Sequence, residues 1–507
     1  MARPNQQYVA RETIFQGDEI SAHAVLVPKW SEFAIVAAAT IIAFLVYTNA
    51  ENVTETANFL APTLLAIAFG IGSVQLLRKS IAAIWTPIFW LRVSGMAFVG
   101  VGSIVPYFLN NESRNMIEAF FSFYPVDVAK YNLVNCLFFL IFMTFFSVVS
   151  NFIFNRSNFS ARFRFEKSAL NIGKLGILLL GVGLFLQLAF VFPAQLGLYD
   201  TVFPAIFGEI AFAGQIGLFL LTYHTLQTRS PFLIFVLIAA AIFAFTGLIL
   251  FAKSTLLFPT VMVATGFIYH RPTLRRILIS TGVVLSVYAI SAPLVSFGRS
   301  VIYDQAAADV QASLNDRVDA IFQYAQGDRL DDSSNDLQIG WLRLSYVNAG
   351  TYAINRYDQG QPGDSLKYLA IIWVPRAIYP SKPIITDIAK DFNYEATGNR
   401  ESSSSPGLTA EAYWDYGWWG VPFFAFLMAV IFAAWSHYSL AVVTSGAWHL
   451  FFVALMGMRV GTRIDGYFVS DIVGPIGFAV LGHIALQFLN RLVASKPKLA
   501  LPVRAMD

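Results

Sequence analysis

The chain has 507 residues, of which 56% are hydrophobic and 13% charged, with a mean hydropathy of +0.59. Soluble domains carry about 25% charged residues, so this composition excludes an ordinary soluble domain and reads as an integral membrane protein. A net charge of +3, spread rather than patched, argues against a nucleic-acid partner. The single cysteine, Cys136 inside an apolar run, excludes a disulfide framework and a thiolate metal site.

Residues 1–32 mix acids with Arg3, Arg11 and Lys29 and lack an early apolar core, which reads as a cytoplasmic tail rather than a cleavable signal. Windows of about 19 residues then give apolar spans near 33–48, 59–77, 84–108, 131–154, 171–192, 201–223, 232–250, 254–269 and 275–296. Together they predict a transmembrane bundle of about nine helices over 33–296. A polar insert, 297–417, follows. Three further spans are expected near 418–436, 439–458 and 472–490, before a tail at 491–507. The expected fold is all-α and polytopic, with about 12 transmembrane helices and one large loop.

Basic residues set the orientation. Alternate short loops hold Arg78 and Lys79; Arg156, Arg162, Arg164 and Lys167; Arg229; and Arg271, Arg275 and Arg276. The loops near 49–58 and 193–200 have neither Lys nor Arg. The positive-inside rule places both termini in the cytoplasm and the 297–417 loop outside. No internal repeat is visible, which disfavours the paired halves common in secondary transporters.

Within the loop, Val310, Leu314, Val318, Ile321 and Phe322 fall at helical spacing and predict an amphipathic helix. Leu366 to Val374 is apolar but too short to cross a bilayer, predicting an interfacial or re-entrant helix stopped by Pro375. The four serines Ser402 to Ser405, leading into Pro406-Gly407, read as a loop.

Walker-type glycine loops, His-Glu-x-x-His helices and Cys/His clusters are absent, and none of the six histidines falls in the outer loop. Acid–base work there falls to carboxylates, tyrosine or the substrate. Arg376 and Lys382 flank Tyr379 among prolines that restrain the backbone. They either bind an anion at the membrane surface, a lipid phosphate first, or pair with loop acids and headgroups. Arg343 lies upstream in a stretch rich in tyrosine. Lys253, between two apolar runs, is a snorkelling lysine or an anion ligand. Arg459 and Arg463 stand in the last outer loop against the charge bias, with Asp465 or Asp471 as alternative partners. Arg92, inside the third span, lines a cavity or lies nearer the interface. Glu411 and Asp415 are four apart and share a face if helical, as helix caps, ion-pair members or acid–base groups. Tyr413, Trp414 and Tyr416 beside them are an interfacial belt or a stacking surface for sugars.

These residues resemble the oligosaccharide repeat-unit polymerases, the Wzy-type O-antigen polymerase family. The match is Pro375-Arg376 with Pro380-Ser381-Lys382-Pro383, then Ser405-Pro406, then Glu411, Tyr413, Tyr416, Gly417 and Gly420 entering a span. The late outer loop and Lys253 at the start of a span support it. The motif-bearing part covers about 50 residues.

The resemblance implies a GT-C-like membrane glycosyltransferase that acts without metal or other cofactor. Its donor and acceptor would both be undecaprenyl-diphosphate-linked glycans, in contact with membrane lipids and with room for a chain-length regulator as partner. Arg376, Lys382, Lys253, Arg459, Arg463 and Arg343 would bind diphosphate, with Arg376 also counted as catalytic. Glu411, then Asp415, would activate the acceptor, and Tyr413, Trp414, Tyr379 and Tyr416 would hold glycan. An O-antigen ligase-like transferase, a flippase or transporter of lipid-linked sugars, and a non-catalytic scaffold are the alternatives. Ligases rely on an outer-loop histidine that is missing here.

Overall fold

The computed structural model describes residues 26–50, 55–108, 125–154, 165–199, 206–306, 312–327, 344–374, 378–379, 381–383, 387–398 and 404–495. Among them every regular element is helical. Eight helices are long and apolar enough to cross a membrane, the architecture of a polytopic membrane protein. In chain order the elements used below are α1 (Trp30–Thr48), α2 (Leu60–Lys79), α3 (Pro87–Phe108), α4 (Pro125–Phe154), α5 (Ile172–Gln195), α6 (Ala213–Thr228), α7 (Leu233–Ile249), α8 (Lys253–His270) and α9 (Leu274–Ala306). They continue with α10 (Leu314–Gln326), α11 (Val347–Asp358), α12 (Asp387–Thr397), α13 (Leu408–Ser445), α14 (Phe451–Gly461) and α15 (Gly474–Ala494). α6, α7 and α8 occupy three of the expected spans but are not among the eight. The expected span at 439–458 is divided. α13 runs on to Ser445, Gly446 turns the chain at φ +71°, and α14 restarts with only 11 residues.

The chain forms two compact units, one of residues 1–167 with 337–486, the other of 168–336 with 487–507. In the first, α4 packs against α1 and α13, and α2 lies on α1. Phe138, Phe139, Phe142 and Phe146 of α4 are buried there, with Phe69 against Phe139 and Phe432 against Phe142. Arg92 lines a small cavity together with Glu32, Phe69, Phe139 and Phe142, the first of the two expected alternatives. Its Nε and Nη2 donate to Oε1 and Oε2 of Glu32 at 2.7 and 2.9 Å, and both side chains are buried. Such a two-bond fork offsets part of the desolvation that burying each charge costs.

In the second unit, α5 meets α6 through glycines, since a Cβ on Gly183 would strike the backbone of Gly214 at 2.2 Å. Close backbone approach of this kind is what small residues allow between membrane helices. A helix does form at the expected amphipathic segment, α10, opened by a Ser313–Asp316 capping box. It packs through Ala320 and Ile321 on Phe251, Leu256 and Val295 rather than on the rest of the loop, and the expected face residues Leu314 and Phe322 are exposed. Val310 lies outside the described residues.

α13 is not one rod. Tyr416 and Gly417 have non-helical torsions, and Gly417 has φ +58° and ψ −142°. A Cβ on Gly420 would lie 1.8 Å from the Ala412 carbonyl oxygen. An α-helix rises 1.5 Å per residue, so residues eight apart in a straight helix are separated by about 12 Å. Residues 408–416 therefore fold back on the start of the 418–445 helix. Gly417 permits the corner for two reasons: its torsions suit glycine, and a Cβ there would sit 2.6 Å from the Tyr357 ring.

The apolar stretch 366–374 differs from the expected helix. It is a 3-10 turn, Ser365–Tyr368, continued as hydrogen-bonded turns to Val374. Trp373 donates to the Val473 carbonyl at 3.3 Å and its ring covers Gly477.

Candidate functional site

The folded-back segment 408–416 positions the site. Gly407, at φ +80°, ends the preceding extended chain, and the Leu408 amide donates to the Ile464 carbonyl at 3.0 Å. Ser405 Oγ donates to the Gly466 carbonyl at 3.0 Å, so both ends of this contact tie the segment to the 462–467 connection. A π-helical stretch, Phe468–Val473, opens the last span. A second, Gly95–Val101, lies in α3 and sets Phe98 against Tyr346. Such π-turns are frequent at functional sites.

Glu411 and Asp415 both lie beside the Ser365 hydroxyl, which donates to Asp415, and Glu411 has a further partner of its own. Glu411 has no exposed surface, and its Oε2 accepts from the Phe468 amide at 2.7 Å. That amide is an N-terminal donor of the last span, where a carboxylate is favoured by both the hydrogen bond and the helix dipole. Glu411 Oε1 has no hydrogen-bond partner among the described residues. Asp415 is buried as well, and its Oδ2 accepts from Ser365 Oγ at 2.5 Å. Gly363 next to it admits the carboxylate, since a Cβ there would meet Asp415 Oδ1 at 2.3 Å.

Further acids lie in the connection. Asp465 Oδ2 accepts from the Tyr346 hydroxyl at 3.2 Å, while its Oδ1 has no partner among the described residues. Burial pushes the Asp465 carboxyl above its ordinary range, with Arg463 opposing. The Tyr346 hydroxyl is pushed up by burial and by Asp465. Asp471 caps the π-turn, accepting from the Tyr467 amide at 3.0 Å and Ser470 Oγ at 2.9 Å. Tyr467 is pushed well up by burial, then by the charges of Glu411 and Asp415. Its hydroxyl donates to the Ser404 carbonyl at 3.3 Å. Among the described residues no group of three or more His, Cys, Asp or Glu could hold a metal ion.

Of the six expected diphosphate ligands, Lys382, Lys253, Arg459 and Arg463 are among the described residues. Arg376 and Arg343 lie outside the described residues. Lys382 is turned to structural use: its Nζ donates to the carbonyls of Ile372 at 2.6 Å and Val374 at 3.0 Å. Arg463 is exposed, 3.9 Å from Asp471, and Arg459 is half-buried on α14. Lys253 belongs to the second unit, where its Nζ donates to Ser296 Oγ at 3.3 Å.

The expected glycan-binding aromatics also divide. Tyr413 is buried and donates to Asp358 Oδ1 at 3.0 Å. Trp414 donates to the Gln361 carbonyl and packs on Phe392. Tyr379 and Tyr416 are exposed.

Sequence reasoning missed Lys130, Asp358 and Ser365. Lys130 Nζ pairs with Asp358 Oδ2 and stands 4.8 Å above the Tyr413 ring. Its signal was a charge at the outer edge of an apolar run. That of Ser365 was the Gln361-Pro362-Gly363-Asp364 turn before it.

No protein-family model matches the chain, and no curated protein or solved structure matches it either. The arrangement itself offers a buried carboxylate oxygen for a hydroxyl donor, a second carboxylate held by a serine, and phenols and an ion pair alongside.

Proposed function

We propose that the chain is a membrane glycosyltransferase that polymerises undecaprenyl-diphosphate-linked repeat units into a surface polysaccharide on the outer face of the cytoplasmic membrane. The observation that carries this reading is buried Glu411, whose carboxylate lies near the Ser365 hydroxyl. That hydroxyl is given to Asp415, and Glu411 Oε1 is left without a hydrogen bond among the described residues. Leaving a buried acceptor unmatched costs about 1–3 kcal/mol, more for a charged group. An acceptor sugar hydroxyl supplies the missing donor and can pass its proton to that oxygen as it attacks. The hydroxyl oxygen bonds to the anomeric carbon of the donor glycan, the bond from that carbon to the diphosphate breaks, and undecaprenyl diphosphate leaves.

Arg376, among prolines, is the cation assigned to the leaving charge. The reading uses about 12 spans, cytoplasmic termini and an outer 297–417 loop, as the charge bias implies. Glu411 is sealed in the free protein, so the Ser405–Gly466 and Tyr467–Ser404 contacts must part for an acceptor to enter.

Glu411→Gln tests it. The amide oxygen still accepts from Phe468, while the proton acceptor is gone. Polymer synthesis from lipid-linked repeats should fall about 100- to 10,000-fold, with unchanged protein level and intact single repeats. A stable Glu411→Gln protein that polymerises at the normal rate would remove this assignment.

A further inference from the structure

The corner at Tyr416-Gly417 turns Trp418 outward, over the Lys130–Asp358 pair. Trp418 is 42% exposed, its ring stands edge-on to buried Tyr413 at 5.1 Å, and Lys130 Nζ lies 6.0 Å from it. Asp358 ends α11, its side chain 40% exposed, although both its oxygens already receive a donor, one from Lys130 and one from Tyr413. Each carboxylate oxygen has a second lone pair and the ammonium has three donors, so the pair retains capacity to bind.

We propose that Trp418, Asp358 and Lys130 form a binding platform for one neutral sugar ring. It deepens the glycosyltransferase reading, on which it rests, by naming where a saccharide lies. Three features select the ligand. An exposed indole face takes the apolar C–H face of a pyranose. A carboxylate accepts from adjacent hydroxyls while a lysine donates to a third oxygen. The ion pair is neutral in itself and Asp127 stands near both its members. An anionic ligand would therefore meet two carboxylates, and a neutral ring meets the hydrogen-bonding groups at less cost. The orientation is fixed from below: Tyr413 cannot tilt without losing its bond to Asp358, and a Cβ on Gly417 would strike Tyr357.

The test uses the full chain in detergent micelles and saturation-transfer NMR. The probes are the methyl glycosides of glucose, galactose, mannose, rhamnose and N-acetylglucosamine. At least one should receive saturation at its ring C–H protons. Trp418→Leu, which keeps an apolar side chain for the interface, should abolish the signal, and Trp418→Tyr, which keeps a stacking face, should retain it. Asp358→Asn should weaken binding about tenfold or more, the worth of a hydrogen bond to a charged group. Trp419→Leu, at a neighbouring position 84% exposed, should bind as wild type does.

Transfer to none of the probes, or equal transfer in Trp418→Leu, would show Trp418 to be a membrane anchor only and overturn the platform. Normal polymer from Trp418→Leu would likewise overturn it and leave the polymerase reading standing. Sugar binding by a chain that forms no polymer would keep the platform and remove the polymerase reading.

Discussion

Glu32 and Glu411 are both buried carboxylates near the start of long apolar helices, yet their surroundings differ. Glu32 gives both oxygens to the Arg92 fork. Glu411 gives one to a backbone amide and leaves the other without a partner among the described residues. The first arrangement pairs both carboxylate oxygens and fastens α1 to α3, leaving only Arg92 Nη1 of the pair without a partner among the described residues. The second is half complete, and an unmatched buried oxygen persists only where the surrounding structure holds it. A carboxylate with both oxygens paired ties two helices together here, and one with an oxygen left over has room for a further donor.

Exchanging the two roles by mutation would break this contrast. The largest effect belongs to Glu411→Gln, a loss of activity without loss of fold. Glu32→Gln should do the reverse. Leaving Arg92 charged and unpaired in the interior should cost about 3–5 kcal/mol, read as a lowered thermal midpoint and low protein level, while the activity per folded molecule is kept. Replacing both partners by Met should recover much of that midpoint. If Glu32→Gln is fully stable but inactive, the assignment of roles is the wrong way round.

The corner is the next lever. Gly417→Ala should cost about 1–3 kcal/mol from its torsions, with the Tyr357 contact adding to it. Because the corner holds both Glu411 and Trp418, activity should fall further than the midpoint does. Equal activity at an unchanged midpoint would mean that residues 408–416 do not fold back.

The smallest effect concerns pH. The Asp465 carboxyl is raised by burial, so above the ordinary Asp value of about 3.9 the unfolded chain loses this proton before the folded one does. Stability from this group is then lost as pH rises through the window between the two values, and is level beyond it. Asp465→Asn should remove that slope, so its midpoint should gain on wild type as pH is raised from acid toward neutral. A constant difference across the range would show that Asp465 does not titrate between the two states.

That the chain is helical and rich in membrane-length spans was legible because such apolar runs have few other uses, although eight such helices are described against about 12 expected. A helix at α10 was legible from spacing, but the surface it packs on was not. What the residues did not reveal was partnership at a distance. Glu411 meets a backbone amide 57 residues on, and a backbone amide carries no mark in the sequence. Arg92 was recognised as costly, but its partner lies 60 residues upstream in another span. Gly417 sat among aromatics that read as an interfacial belt, so the corner was hidden by the composition around it. Lys382 looked like an anion ligand because its attraction to two carbonyls depends on how 372–374 turns.

The brevity of α14 bears on what holds it in shape. Its 11 residues reach about 16 Å, half of a hydrocarbon core of about 30 Å. The connection 462–467 continues without regular helix, and buried backbone of this kind needs protein partners to shield it. Ser405 and Leu408 provide that shield through Gly466 and Ile464. The short α14 and its connection therefore depend on residues 405–408 for their shape, rather than on their own length.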